Sequence, residues 1–232
     1  MKIILLSMFI FFVLFSTVVD ESFAESVSLL PTDDTFIIIN TLDVYDKQEL
    51  TNTNTGNFNY LRIGYDQDST DSRVLYVPWL KFDLKDYTEE QIESAILKMD
   101  LSSKKSLPYG AVSVSVFLSY NSNWNESTLT YSNASKWNNA QAESRMWKPG
   151  LQEWDLTSAA KQFAGEDLSI VLYFTTPLSV RHAEINFPSK ESDLTKPTLR
   201  IQLSNPNVEE SFSTQQQIPN VEESFSTQQQ IP

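Results

Sequence analysis

Apolar and polar residues alternate with a period of two through most of the chain between residues 33 and 204. Such alternation is typical of β-strands that have one face on a core and the other toward water. Runs with stronger apolar character, FIIIN at 36–40, YLRIG at 60–64 and LSIVLYF at 168–174, predict further, more buried strands. The clearest alternating positions are Ala95, Leu97, Met99 and Leu101 in one segment and Val112, Val114, Val116 and Leu118 in another. The chain is therefore predicted to be all-β.

Helical signals are few. Thr88 and Gln91 have the spacing of a capping box and predict a short turn, and SAAKQFAG at 158–165 predicts a helix of about two turns that ends at glycine. Pro78 lies inside an apolar run and predicts a bulge, a bend or an edge. Eight or so short strands with turn signals between them favour a single jelly-roll-like β-sandwich over residues 25–204, with one or two short helices.

The N-terminal segment has the pattern of a secretory signal peptide. A basic start is followed by an apolar run, Ile3–Val19, and then by Ser22-Phe23-Ala24, which predicts cleavage after residue 24. The alternative is an uncleaved membrane anchor, although a run of 17 residues is short for a span. The protein is therefore expected outside the cell or on its surface.

The C-terminal segment, 205–232, differs in composition from the rest. The 13-residue sequence NVEESFSTQQQIP occurs at 207–219 and again at 220–232. Two polar copies are too few to stack into a solenoid, so a disordered tail is expected. The alternatives are a spacer and an interaction peptide that adds a strand to a neighbouring subunit, with apolar side chains at Val208, Phe212 and Ile218.

Composition excludes several classes of function. The net charge of −13 disfavours nucleic acid as a partner, because phosphate backbones would be repelled. The chain has no cysteine, which excludes thiol catalysis and zinc–thiolate sites, and its one histidine, His182, offers no second imidazole. We therefore expect a protein that is not an enzyme and requires no cofactor. A pair of carboxylates brought together in space, as in a glycosidase, is the alternative.

Aromatic residues near 137–150 suggest a sugar site. Exposed tryptophans give sugar rings an apolar platform, and amide or guanidinium groups can bind the hydroxyls. The candidate residues are Trp137, Trp147, Asn138 and Arg145. The alternative is that these are loop aromatics which close one end of the sandwich.

Calcium is the one ion that the sequence suggests. Asp66, Asp68 and Asp71 fall in one short loop, and hard cations prefer carboxylate and carbonyl oxygens. The spacing is not that of an EF-hand, because aspartate stands at the sixth position, where glycine is required. A solvated acidic turn between strands is the alternative.

Three motifs occur in order along the chain: a W-x-E-x-T-x-T-[WY] segment, an aspartate-apolar-threonine step and a Phe-x-Ser-basic-Glu element. Together they resemble the DNRLRE-type domain, which overlaps carbohydrate-binding module family 96. The resemblance covers about residues 33–203 and implies a structural role for the motif residues. These are Trp124, Glu126, Thr128, Thr130, Tyr131, Asp155, Thr157, Ser189 and Glu191. Asn125 and Asn133 lie in Asn-x-Ser sequons and are candidate glycosylation sites.

The resemblance implies a non-catalytic module that binds polysaccharide of the cell envelope or matrix. It also suggests acidic polymers such as alginate, which the negative chain would repel unless Arg145, Lys148, Lys190 and Lys196 form a basic patch or calcium bridges the charges. The alternative is a structural or adhesive surface protein that associates with itself or with another protein, through the repeated tail.

Overall fold

The structure is a computed structural model that describes residues 25–40, 52–67, 73–101, 103–105, 112–146, 149–175 and 182–204. The predicted signal peptide, 1–24, and the predicted tail, 205–232, lie outside these ranges. Within them there are twelve strands and one helix. In chain order they are β1 (Ser26–Leu29), β2 (Asp33–Asn40), β3 (Tyr60–Gln67), β4 (Arg73–Asp83), β5 (Ile92–Leu101), β6 (Ser103–Lys105), β7 (Val112–Ser119), β8 (Trp137–Met146), β9 (Gly150–Asp155), α1 (Thr157–Gln162), β10 (Asp167–Phe174), β11 (His182–Pro188) and β12 (Thr198–Leu203).

The strands form two antiparallel sheets, and the predicted all-β sandwich is confirmed. In the described part of the chain, the smaller sheet has the order β1-β12-β5-β9. The larger sheet has the order β6-β11-β3-β4-β10-β7-β8, and β2 pairs with β4 beside this path. Every strand pairing is antiparallel.

The main core lies between the two sheets. The alternating positions of β5 and of β7 from Val114 to Leu118 are buried in it, as the period of two predicts. Trp154 of β9 also points into this core, where its Nε1 donates to the Val114 carbonyl at 2.9 Å. Burial of this continuous apolar layer is the principal source of stability in a chain without disulfides.

Strand β4 holds the larger sheet together. One of its edges pairs with β2, and its other edge pairs with β3 as far as Tyr76 and with β10 from Trp79 onward. Pro78 falls between these two partners, at a position where the missing N–H costs no ladder hydrogen bond on that edge. The proline therefore marks the point at which β4 changes its neighbour.

A second apolar cluster covers the opposite face of the larger sheet. Since side chains alternate along a strand, Trp79 and Val171 point away from the main core while Leu80 and Ile170 point into it. The segment 121–135, which joins β7 to β8, packs on this outer face through Leu129. This segment carries most of the motif residues, so most of the motif positions lie over the outer face.

Helix α1 is shorter than predicted. It spans Thr157–Gln162, and Gly165 follows with a φ of +84°, a conformation that favours glycine. The Thr88–Gln91 turn contains the expected hydrogen bond from the Thr88 amide to Gln91 Oε1 at 2.8 Å but leads directly into β5. The described residues contain no helix that is long and apolar enough to cross a membrane.

Candidate functional site

Trp124 fixes the 121–135 segment to the outer face of the larger sheet. Its ring meets Trp79 edge to face, with 6.0 Å between the ring centroids, and its Nε1 donates to Ser169 Oγ at 2.7 Å. The ammonium group of Lys81 lies 4.9 Å from the centroid of the Trp124 ring and donates to the Trp124 carbonyl. Trp124 is thus held by packing, a hydrogen bond and a cation–π contact.

The sequon asparagines and the threonines fold the segment on itself. Asn125 Oδ1 accepts from the amide of Ser127 at 2.8 Å, and Asn133 Oδ1 accepts from the amide of Thr130 at the same distance. Asn133 Nδ2 donates to the Thr128 carbonyl at 2.9 Å. The Asn125 bond closes an Asx turn, and the Asn133 bonds reach back to earlier residues; both satisfy backbone groups that no strand partner satisfies. Both asparagines are exposed, and because the Asn133 Nδ2 carries two hydrogens, a glycan linked to it would still leave one N–H to donate.

Glu126 connects the segment to two other parts of the chain. Its Oε2 accepts from the Asp34 amide in β2 at 3.1 Å, and its Oε1 lies 2.8 Å from Lys190 Nζ in the turn after β11. Its own amide donates to Asp33 Oδ1 at 3.2 Å. This one side chain therefore joins the segment, β2 and the motif around Ser189.

The Ser189–Glu191 turn completes the same network. Ser189 Oγ donates to the Phe58 carbonyl at 2.7 Å and accepts from the Glu191 amide at 3.2 Å. Lys190 Nζ lies 2.6 Å from Glu191 Oε1, and the Lys190 amide donates to Asp34 Oδ2 at 2.7 Å. Motif residues that are far apart in sequence therefore meet in one place.

Burial and pairing shift the pKa values of this network in different directions. Burial raises the pKa of the Asp34 carboxyl to about 8, and the adjacent Glu191 carboxylate adds to the effect although the Lys190 amide opposes it. Burial also acts to raise the pKa of Asp33, but hydrogen bonds from Lys81 and the Glu126 amide outweigh it, so this pKa is lowered. Burial alone would lower the pKa of Lys190, yet its bonds to Glu126 and Glu191 raise it above the usual value.

A close backbone approach brings the 54–56 turn against the segment. Asn54 Nδ2 donates to the carbonyls of Glu126 and Leu129. A Cβ atom at Gly56 would lie 2.3 Å from the Glu126 carbonyl oxygen, so a side chain does not fit here without displacement of the backbone.

Trp137 lies in an open groove at the end of the 121–135 segment. The groove has a volume of about 450 Å³ and is lined by Tyr131, Ala134, Ser135, Lys136 and Trp137. The Trp137 ring meets Trp79 edge to face at 6.1 Å and is half-buried, whereas 45 % of the Tyr131 surface is exposed. The loop position suggested as an alternative for Trp137 is wrong, because this residue is the first of β8. Strand β8 was missed in the sequence because it is an edge strand with a polar sequence.

Of the other three sugar candidates, Asn138 alone has a described side chain, and it does not line this groove. Asn138 Oδ1 accepts from the Leu118 amide at 3.0 Å, at an irregularity in the pairing of β7 with β8. Arg145 pairs through its backbone with Ser113, and its side chain is not described. Trp147 lies outside the described residues. The described hydrogen bond of the Asn138 side chain therefore stabilises the pairing of β7 with β8.

The acidic loop proposed for calcium is described only in part. Asp66 lies in β3, and its Oδ1 is 3.4 Å from His182 Nδ1 in the neighbouring strand β11. Asp68 and Asp71 lie outside the described residues. A different acidic group, Asp34 with Glu126 and Glu191, is brought together by the fold from positions that are far apart in the sequence.

The Asp155–Thr157 step ties α1 to the smaller sheet. Asp155 Oδ1 accepts from the Thr157 amide at 2.9 Å and from the Thr157 hydroxyl at 2.6 Å. The hydroxyl oxygen in turn accepts from the Ala95 amide in β5 at 3.1 Å. The N-cap residue is Leu156, which makes no side-chain cap, so Asp155 bonds to the first turn from the position before the cap.

Comparison with known protein families gives a match that covers the part of the chain that forms the sandwich. The model of carbohydrate-binding module family 96 matches residues 26–203. The chain belongs to this family. The match covers the whole sandwich and all three motifs, while no curated protein matches the chain. Membership in family 96 supports carbohydrate binding as the general function.

Proposed function

We propose that this family 96 protein is a non-catalytic module that binds a polysaccharide outside the cell, with the Tyr131–Trp137 groove as its sugar-binding site. The observation that carries the proposal is the pairing of an exposed tyrosine with a half-buried tryptophan in one open groove. Aromatic faces of this kind can pack against the apolar faces of pyranose rings. Ser135 and Lys136 add hydrogen-bonding groups for the hydroxyls.

The groove is held in place before any ligand arrives. Trp137 is fixed between Trp79 and Tyr173, with 6.5 Å between its ring centroid and that of Tyr173. Ser119 Oγ and Ser135 Oγ are 2.7 Å apart, and the Tyr120 amide donates to the Lys136 carbonyl at 3.1 Å. Little conformational entropy would therefore be lost on binding.

Charge favours a neutral polysaccharide over an acidic one. The chain carries a net charge of −13, and Lys136 is the one basic residue that lines the groove in the described part of the chain. Lys190, which the basic-patch hypothesis requires, already pairs with Glu126 and Glu191. An anionic polymer would therefore meet repulsion that one lysine does not offset.

Affinity electrophoresis tests the proposal. The full chain is run through native gels that contain neutral or acidic polysaccharides, and a neutral polymer is expected to retard it. Tyr131→Ala should abolish most of the retardation, because it removes the exposed half of the platform. Tyr120→Ala is the matched control, since Tyr120 is 70 % exposed and does not line the groove.

Three outcomes would contradict the proposal. Equal retardation of Tyr131→Ala and the unchanged protein would place the site elsewhere. Absence of retardation in every gel, together with self-association that is lost when residues 205–232 are removed, would favour the adhesive alternative. Release of reducing ends from the retained polymer would contradict the non-catalytic role.

A further inference from the structure

Three carboxylates from separate parts of the chain converge beneath the 121–135 segment. Asp34 of β2, Glu126 of the segment and Glu191 of the turn after β11 each offer one ligand oxygen, and these oxygens all lie within 4.8 Å of one another. Ligand oxygens around Ca²⁺ stand about 2.3–2.6 Å from the ion, so two of them are at most about 5 Å apart. The spacing is therefore compatible with a single calcium ion.

One oxygen of this group has no hydrogen-bond partner. Asp34 is 1 % exposed, and while its Oδ2 accepts from the Lys190 amide, its Oδ1 is buried and unpaired. A buried carboxylate oxygen without a partner is costly unless a proton or a cation compensates it. Asp34 belongs to the same acidic group as Glu126 and Glu191, so an ion held there would meet a buried carboxylate that has an unsatisfied oxygen.

When all of its carboxyl groups are ionised, the network around the site carries an excess of negative charge. It then contains four carboxylates and two ammonium groups, so two negative charges are uncompensated, and in the absence of an ion a proton on the Asp34 carboxyl removes one of them. Its members are Asp33, Asp34, Glu126 and Glu191 with Lys81 and Lys190. A divalent cation would make the network neutral.

We propose that Asp34, Glu126 and Glu191 form a calcium site that fastens the 121–135 segment to β2 and to the Ser189–Glu191 turn. An all-oxygen donor set excludes a preference for soft metals, and water can complete the coordination from the exposed side of Glu191. The site is separate from the sugar groove, and it is also separate from the Asp66 loop.

Lys190 acts as the counter-ion when calcium is absent. Its ammonium group bonds to one oxygen each of Glu126 and Glu191, and 22 % of its side chain remains exposed. The ammonium group and the ion compete for the same two carboxylates. Calcium binding should therefore be moderate, with a dissociation constant of about 10⁻⁴–10⁻³ M, as is usual for extracellular modules.

Calorimetric titration of the chelator-treated full chain with CaCl₂, and thermal unfolding with CaCl₂ or chelator, test the proposal. One calcium ion per chain and a rise in Tm are expected. Asp34→Asn and Glu191→Gln should each weaken calcium binding about tenfold or more, and Lys190→Gln should strengthen it. Asp34→Asn should not lower Tm in chelator, since it removes an uncompensated carboxylate.

Asp66→Asn is the matched control and should bind calcium as the unchanged protein does. Loss of binding in Asp66→Asn with unchanged binding in Glu191→Gln would move the site to the 66–71 loop and overturn the proposal. Absence of calcium binding up to 10 mM would also overturn the proposal, because this concentration is about tenfold above the largest expected dissociation constant. Glu191→Gln keeps the test valid if Asp34→Asn fails to fold, because Glu191 is partly exposed.

Discussion

Gly56 shows how one residue limits the position of the 121–135 segment. The side chain of Glu126 points toward β2 and Lys190, while its carbonyl oxygen faces the Gly56 Cα. The absence of a side chain at residue 56 lets the two backbones approach and lets Asn54 Nδ2 reach the Glu126 carbonyl. The segment can therefore sit close to the sheet only with glycine here.

Gly56→Ala is expected to lower the free energy of unfolding by about 1–3 kcal/mol, because the added methyl group would displace the Glu126 backbone. Urea denaturation measures this change. Asn57→Ala, at the exposed next position, is the control and should change stability by less than about 0.5 kcal/mol. Equal stability of Gly56→Ala and the unchanged protein would mean that the segment does not pack as closely as described.

At the scale of elements, the stability that the turn between β9 and α1 contributes is expected to depend on pH. Hydrogen bonds from the Thr157 hydroxyl and the Thr157 amide lower the pKa of Asp155 below its ordinary value near 3.8. A carboxylate with a lowered pKa stabilises the folded state at pH values above its unfolded pKa. That contribution is lost as the pH falls through the folded pKa.

Asp155→Asn should therefore be less stable than the unchanged protein at pH 7, by about 0.5–1 kcal/mol for a charged hydrogen bond at an exposed site. The difference should shrink as the pH is lowered from 5 toward 2.5. Chemical denaturation of both proteins across this range measures it. A difference that stays constant with pH would show that the charge of Asp155 plays no part.

The elements differ in how far sequence could predict them. Strands β5 and β7 alternate because one face is buried, so their period is visible in the sequence. Strand β8 is an edge strand with the polar sequence NNAQAESR and shows no such period, so the sequence around Trp137 is equally compatible with a loop. Strands β1 and β6 are too short for a period of two to identify them, and each lies at the edge of a sheet.

At the scale of the whole molecule, the motifs predicted the family better than they predicted the site. Trp124 and Glu126 resembled a family pattern, yet their partners Ser169, Asp34 and Lys190 are distant in sequence and adopt their positions only in the sandwich. Contacts of this range depend on strand order, which the periodicity of single strands does not specify. The acidic group at Asp34 could therefore be found only once the fold was known.

The central claim is that sugar binds at the Tyr131–Trp137 groove. The most direct measurement is tryptophan fluorescence of the full chain, titrated with oligosaccharides of the polymer that retards it, for the unchanged protein and for Trp137→Phe. This substitution keeps an aromatic ring against Trp79, and four other tryptophans remain as an internal reference. We expect a saturable spectral change in the unchanged protein that is largely lost in Trp137→Phe. The same change in both proteins, or no change in either, would contradict the claim.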